Sequence, residues 1–258
     1  EEMARRFGFE PSAHVRVANP ISVEQSLMRR SLLPGIHKNL VDNARFRGEF
    51  RLFEIGKEIH PQAAGELPHE IPHLMAAVHT KGDGQSALFE LKRLAECLMP
   101  GCTTAPAEAR MYEHPARVAT ITWRGVELAR LFELHPTLIE SGRGAVLDVD
   151  LEAMFKLGPA PKKYAPLRKY PSSEFDVSVV CGLRELCTTV ENAIRAAGCD
   201  QVSYLYSYRG KPLADDQQSM SFRVSVSAPD HTLSAEEVTA ARTRILDSLR
   251  TAGYSIRG

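Results

Sequence analysis

Gly158-Pro-Ala-Pro-Lys-Lys-Tyr-Ala-Pro166 places three prolines and a glycine within nine residues. Proline fixes φ and removes a backbone donor, so no helix or sheet ladder runs through such a stretch. The chain is therefore expected to fold as two units, residues 1–157 and 167–258, joined by a linker at 158–166. With 258 residues, 43% of them hydrophobic, there is apolar material for a core in each. Residues 1–159 carry 19 basic and 21 acidic side chains, and residues 160–258 carry 13 and 11. That balance excludes a protein that coats nucleic acid through bulk charge, but not a local, shape-specific RNA contact.

The second half reads as β-α-β-β-α-β. Phe175 to Val180 alternates polar and apolar and predicts a half-buried strand. Arg184 to Ala197 carries Leu186, Val190, Ala193 and Ile194 at helical spacing, with Gly198 placed to end it. Val202 to Tyr208 and Ser219 to Ser227 are further strands around a polar turn at Lys211 to Gln217. Ser234-Ala-Glu-Glu237 is a capping box that opens a helix carrying Val238, Ala241, Ile245 and Leu249. Tyr254 to Arg257 is a short last strand. This order predicts a ferredoxin-like unit with two helices on one sheet face. Alternation turns Val177, Val179, Leu205, Phe222, Val224 and Val226 toward the helices. It turns Asp176, Ser178, Tyr206, Tyr208, Ser219, Ser221, Arg223 and Ser225 outward. Two tyrosines, several hydroxyls and an arginine on an open sheet suit single-stranded RNA: aromatic rings stack on bases at about 1–3 kcal/mol each. The same residues are also what β propensity alone favours.

The first half predicts an α+β domain of antiparallel strands with helices packed outside. Strands are expected at Val15 to Ala18, Arg51 to Ile59, Leu74 to Thr80, Val118 to Trp123, Val126 to Phe132 and Ala145 to Val149. Glu24 to Phe46 reads as largely helical, interrupted near Pro34-Gly35, and Ser86 to Leu98 as an amphipathic helix.

Five cysteines (Cys97, Cys102, Cys181, Cys187 and Cys199) favour reduced thiols and a cytoplasmic location over a disulfide framework. Cys97 and Cys102 flank a Pro-Gly turn, but no second pair of ligands lies at a matching zinc spacing. No apolar run approaches the roughly 18 residues of a membrane span. Glu1-Glu2-Met3-Ala4-Arg5-Arg6 lacks the apolar stretch of a secretory leader. His69, His73 and His79, with Glu66 and Glu70 nearby, have a metal-like spacing. The proline in His69-Glu-Ile-Pro-His73 prevents the single helical face of an HExxH site, so these read as loop histidines beside a strand. His114, Ser31 and Cys187 have no convincing partner in sequence. No metal site is expected.

Asn19-Pro20-Ile21-Ser22, Met28-Arg29-Arg30-Ser31-Leu32-Leu33-Pro34-Gly35, Asn43 and Leu52-Phe53-Glu54-Ile55-Gly56 resemble the beta subunits of bacterial phenylalanyl-tRNA synthetases. Phe89-Glu90-Leu91-Lys92 and Glu133-Leu134-His135-Pro136 continue the pattern. The second half resembles those subunits' ferredoxin-fold anticodon-binding domain through Lys169-Tyr170-Pro171, Phe175-Asp176, Tyr208-Arg209-Gly210, Ser219-Met220-Ser221-Phe222 and Asp230-His231-Thr232-Leu233. The resemblance implies a C-terminal fragment of a longer chain, which opens on Glu1 rather than Met. Its first half would be a degenerate class II synthetase-like domain. Glu1-Glu2 matches either an acidic pair used for magnesium or the helix just before the Asn-Pro-Ile-Ser segment.

In class II folds a Phe-Arg-x-Glu motif places an arginine on the ATP α-phosphate, where a fixed guanidinium fork is hard to replace. Aligned on Ile55-Gly56, this chain has His60 at the arginine position and Gln62 at the glutamate position. Gly142-Arg143-Gly144, the nearest match to the second ATP-clamping motif, leads into a strand rather than a helix. The resemblance thus implies no catalytic residues here, with ATP and Mg2+ used by the assembled enzyme and not by this piece. It implies an alpha-subunit partner in a two-alpha, two-beta assembly, phenylalanine tRNA as ligand, and no membrane. By the same carry-over Tyr208 would stack on the first anticodon base and Ser219 would bond a base. Tyr206, Ser221, Arg209 and Arg223 are further candidate tRNA contacts. Tyr206-Ser207 departs from the Asp-Val that commonly precedes the tyrosine. Two other classes stay open: a free-standing regulatory module with a small-ligand-binding ferredoxin-like domain, and a purely structural assembly domain.

Overall fold

The computed structural model describes residues 1–22, 25–159, 164 and 169–257. The chain divides into two compact units, residues 1–161 and 162–258. Most of the expected linker, and the start of the helix expected from Glu24, lie outside the described residues.

The first unit is an antiparallel six-stranded sheet with helices on both faces. In chain order it comprises α1 (Glu2–Arg6), α2 (Leu33–Ala44), β1 (Phe50–His60), β2 (His69–Thr80), α3 (Gln85–Leu98), β3 (Thr103–Pro106), β4 (Glu113–Trp123), β5 (Val126–Leu134), β6 (Arg143–Asp150) and α4 (Leu151–Leu157). The strands lie in the order β1-β2-β6-β5-β4-β3. Alternation splits each central strand between two cores. Met75, Ala77 and Val146 pack with Leu33, Ile36 and Leu40 of α2. Ala76, Val78, Leu147 and Val149 pack with Ala87, Leu91 and Ala95 of α3.

Several expectations about this half shift. The α2 helix starts at Leu33, so Pro34 and Gly35 open it rather than interrupt it. Proline is tolerated there because the first N–H groups of a helix have no intrahelical partner. Val15 to Ala18 forms only an isolated bridge, Arg16 to Leu27. His69 and His73 belong to β2, not to a loop before it. Pro72 is accommodated because β6 starts pairing at His73, so Pro72 faces only Lys57 of β1. The sequence reading also missed β3 and α4.

The second unit is the expected ferredoxin-like fold: β7 (Ser173–Gly182), α5 (Cys187–Ala196), β8 (Gln201–Tyr208), β9 (Gln217–Val226), α6 (Ala235–Thr251) and β10 (Ser255–Arg257). The sheet order is β10-β7-β9-β8, all antiparallel. Both bonds of the capping box are made: Glu237 N–H donates to Ser234 Oγ at 3.3 Å and Ser234 N–H donates to Glu237 Oε2 at 2.8 Å. Val177, Val179, Phe222, Val224 and Val226 form the core with Val190 and Ile194 of α5 and Ile245 and Leu249 of α6. Among the described residues no helix is long and apolar enough to cross a membrane.

Candidate functional site

The helix-free face of the second sheet is a grid set by register. Arg257 of β10 lies opposite Ser178 of β7, Ser178 opposite Ser221 of β9, and Ser221 opposite Tyr206 of β8. In the next row Val180 and Tyr208 flank Ser219. Tyr206 and Tyr208 reach this face only because β8 has a bulge between Tyr204 and Tyr206. Val202 and Tyr204 precede the bulge: Val202 is in the core and the Tyr204 ring meets Phe222 edge-on at 5.9 Å. Unbroken alternation from Val202 would have turned Tyr206 and Tyr208 onto the helices. The extra residue is Leu205, which is half-buried rather than in the core.

Tyr208 is held in place at both ends. Its hydroxyl donates to Lys211 O at 2.7 Å, and Gly210 takes a φ of +120°, open to glycine at little cost, to close the turn beneath it. Above the ring, at 4.8 Å from its centroid, lies the Arg257 guanidinium, a cation–π contact. The sequence reading missed Arg257. The signal was present in strand order: as fourth strand of a ferredoxin-like unit, β10 must lie beside β7, and alternation with Ile256 turns Arg257 outward.

The expected hydroxyls are on this face, but they are not open. Ser219 is 2% and Ser221 3% exposed, because they sit on central strand β9 among larger neighbours, and the Ser221 and Ser178 hydroxyls bond each other at 2.8 Å. Tyr206, 59% exposed, is the accessible aromatic surface. Arg223 is not a free cation. It makes two bonds to Asp176, at 2.9 and 3.1 Å, and this bond holds the Asp176 carboxyl below its usual range. Arg209 is exposed and reaches Gln218 Oε1 at 3.4 Å.

In the first unit, His60 lies at the end of β1, on a cavity of about 670 Å3 whose walls include Arg30, Arg130, Glu58, His73 and Asp148. Burial, then the Arg30 charge, lowers the His60 pKa, so the ring tends to be neutral. Gln62 is exposed in the connection to β2, outside the cavity wall. The three β2 histidines do not converge. His69 meets Glu152 at 2.8 Å, His73 meets Asp148 at 2.8 Å, and His79 lies between Gly48 O and Ser141 O. Glu1 is paired with Arg16 at 2.6 Å and Arg5 at 3.3 Å, and α1 follows directly.

Comparison with known proteins agrees with both halves. Residues 1–143 match the family profile described as the phenylalanyl tRNA synthetase beta chain CLM domain, and residues 168–257 match the ferredoxin-fold anticodon binding domain. The chain is 51% identical over 261 residues to the phenylalanine–tRNA ligase beta subunit of Solibacter usitatus, covering 100% of this chain and 34% of the relative. The Bacillus subtilis counterpart is 26% identical over 269 residues, covering 96% and 34%. That of Moorella thermoacetica is 29% identical over 255 residues, covering 91% and 32%. The chain thus spans about a third of the length of these relatives. Among solved structures, a pyrrolysyl tRNA synthetase from Desulfitobacterium hafniense overlaps with a TM-score of 0.48 at 16% identity, over 61% of this chain and 57% of that one, too slight a likeness to argue from.

Proposed function

Because the chain belongs to the phenylalanine–tRNA ligase beta-subunit family, we propose that residues 167–258 hold the anticodon region of phenylalanine tRNA while residues 1–157 are a non-catalytic, subunit-contacting body. The observation that carries the RNA reading is the pair Tyr206 and Tyr208 on the outer sheet face, with the Tyr208 ring fixed in orientation by its bond to Lys211. A fixed aromatic ledge stacks a splayed base without first losing side-chain freedom. Arg257 occupies the space over Tyr208, so an arriving base displaces or shares it, and its charge is then close to the phosphates. Ser219 and Ser221 would take part only after a shift of their neighbours.

The test is anticodon stem-loop binding by the chain and by Tyr208→Ala. Loss of one stack costs about 1–3 kcal/mol, so the variant should bind about 5- to 150-fold more weakly. Equal affinity for a phenylalanine stem-loop and unrelated loops, with no effect of the substitution, sinks the reading. A thermal shift with free amino acids and none with RNA would favour the small-ligand module instead.

The cavity beside His60 does not fit ATP. Glu58 and Asp148 oppose a triphosphate, and Arg130 is bound to Glu113 at 2.6 Å. We therefore assign this chain no step of aminoacylation; ATP and Mg2+ belong to the assembled two-alpha, two-beta enzyme of the cytoplasm. For the alpha-subunit contact the supporting observation is edge strand β1. Its Phe53 and Ile55 are 73% and 65% exposed, on the α3 side of the sheet but outside the core that α3 covers. Phe53→Asp should weaken co-purification with an alpha subunit by about 30-fold, the effect of losing about 2 kcal/mol at an interface anchor. Unchanged co-purification would place the contact elsewhere.

A further inference from the structure

Glu58, His73 and Asp148 come from the three neighbouring strands β1, β2 and β6 and face the same side of the sheet. His73 lies between the other two: Glu58 is two residues along β1 from Gly56, which His73 opposes, and Asp148 is two residues along β6 from Asp150. The His73 ring presents Nδ1 to Asp148 Oδ1 at 2.8 Å and Nε2 to Glu58 Oε2 at 3.6 Å. Three donor atoms, one from each residue, lie within 4.8 Å of one another.

We propose that Glu58 Oε2 and His73 Nε2 bind a divalent transition cation, with Asp148 on His73 Nδ1 as the carboxylate that orients the ring, zinc being the ion best suited to this donor set. Ligands about 2.0–2.1 Å from a tetrahedral centre lie about 3.4 Å apart, close to the Nε2 to Oε2 separation here. Two carboxylates and a neutral imidazole carry two negative charges, which a divalent ion cancels. Glu58 is 6% exposed, so without a cation two carboxylates share a low-dielectric pocket with one imidazole. One Glu58 oxygen is already oriented by Leu32 N–H at 3.1 Å, leaving Oε2 toward His73 and, at 3.4 Å, His60 Nε2. The cavity of about 670 Å3 beside the cluster leaves room for exchangeable ligands to complete the coordination. The imidazole selects against Mg2+, which favours oxygen donors and retains its water. Cys97 and Cys102, the zinc candidates of the sequence, are not part of this cluster. The site lies wholly in the first unit and does not depend on the RNA reading.

The test is calorimetric titration of the metal-stripped chain with ZnCl2 and, separately, MgCl2. One zinc per chain with micromolar or tighter affinity is expected, and no heat from magnesium. His73→Gln should weaken zinc binding at least tenfold and Asp148→Asn about tenfold, given what loss of a ligand or its orienting carboxylate costs. No zinc binding, or binding unchanged in both variants, overturns the proposal. Should the variants fail to fold, Co2+ added to the unaltered chain decides. Tetrahedral d–d bands without a thiolate charge-transfer band support the site, and a thiolate band overturns it in favour of the cysteines.

Discussion

Arg130→Met should destabilise the first unit by about 3–5 kcal/mol, because it strands a buried carboxylate. Glu113 is fully covered and accepts from Arg130 Nε at 2.6 Å, Arg130 Nη2 at 2.7 Å and Arg110 N–H at 2.7 Å. Arg130 also donates to Glu108 O at 2.6 Å, so it ties the segment before β4 to β5. A pair this well bonded gains Coulomb energy against a large desolvation cost, and its net worth can be near zero. Removing one member is another matter, since the partner keeps the cost and loses the compensation. Glu113→Gln combined with Arg130→Met should therefore recover much of the loss, which a double-mutant cycle in denaturant measures. A single-variant loss under about 1 kcal/mol, or a double variant no better than the single, would mean that Glu113 reaches water in the folded chain.

The legible parts of this fold were those where one physical signal acted alone. The second unit followed from alternation in β7 and β9 and from the Ser234 capping box, all local patterns with one structural outcome. Its helix-free face was less legible. The outward turn of Tyr206 and Tyr208 depends on a bulge at Leu205, and nothing in Val-Ser-Tyr-Leu-Tyr-Ser-Tyr marks where a ladder slips. The face also depends on burial, which alternation does not report: Ser219 points outward and is nonetheless covered. Arg223 read as a free cation until its cross-strand neighbour Asp176 was in place. In the first unit, Pro34 and Pro72 misled because proline breaks an element only where an N–H is needed, and neither position needs one. The Glu58, His73, Asp148 cluster was the least legible, since its members are 15 and 75 residues apart along the chain and meet only through sheet order.

That cluster also sets an expectation for pH, in metal-free protein kept in a chelator. Burial, opposed by the His73 charge, raises the Glu58 pKa to about 7 from 4.5. For His73, burial works downward, and the Asp148 hydrogen bond and charge, with Glu58, outweigh it and raise the pKa. His60, lowered by burial, meets Glu58 Oε2 at 3.4 Å, and Glu10, Arg30, Arg110, Tyr112, Glu127, Arg130 and Asp150 also line the cavity. Both raised groups hold protons more tightly folded than unfolded. Their contribution is complete below the unfolded values, about 4.5 for Glu58 and 6.5 for His73, and falls as pH rises through the folded ones. The first unit should thus lose stability between about pH 5 and pH 8, by at most about 3 kcal/mol from Glu58, at 1.36 kcal/mol per unit. Glu58→Gln keeps an acceptor for Leu32 N–H and removes the ionisation, so its stability should fall less over this range and exceed the parent's at pH 8. Denaturant midpoints at the two pH values for both proteins decide it. A parent and variant with the same slope would show that Glu58 ionises in the folded chain as it does in the unfolded one, with His73 and Asp148 bearing the pH dependence alone.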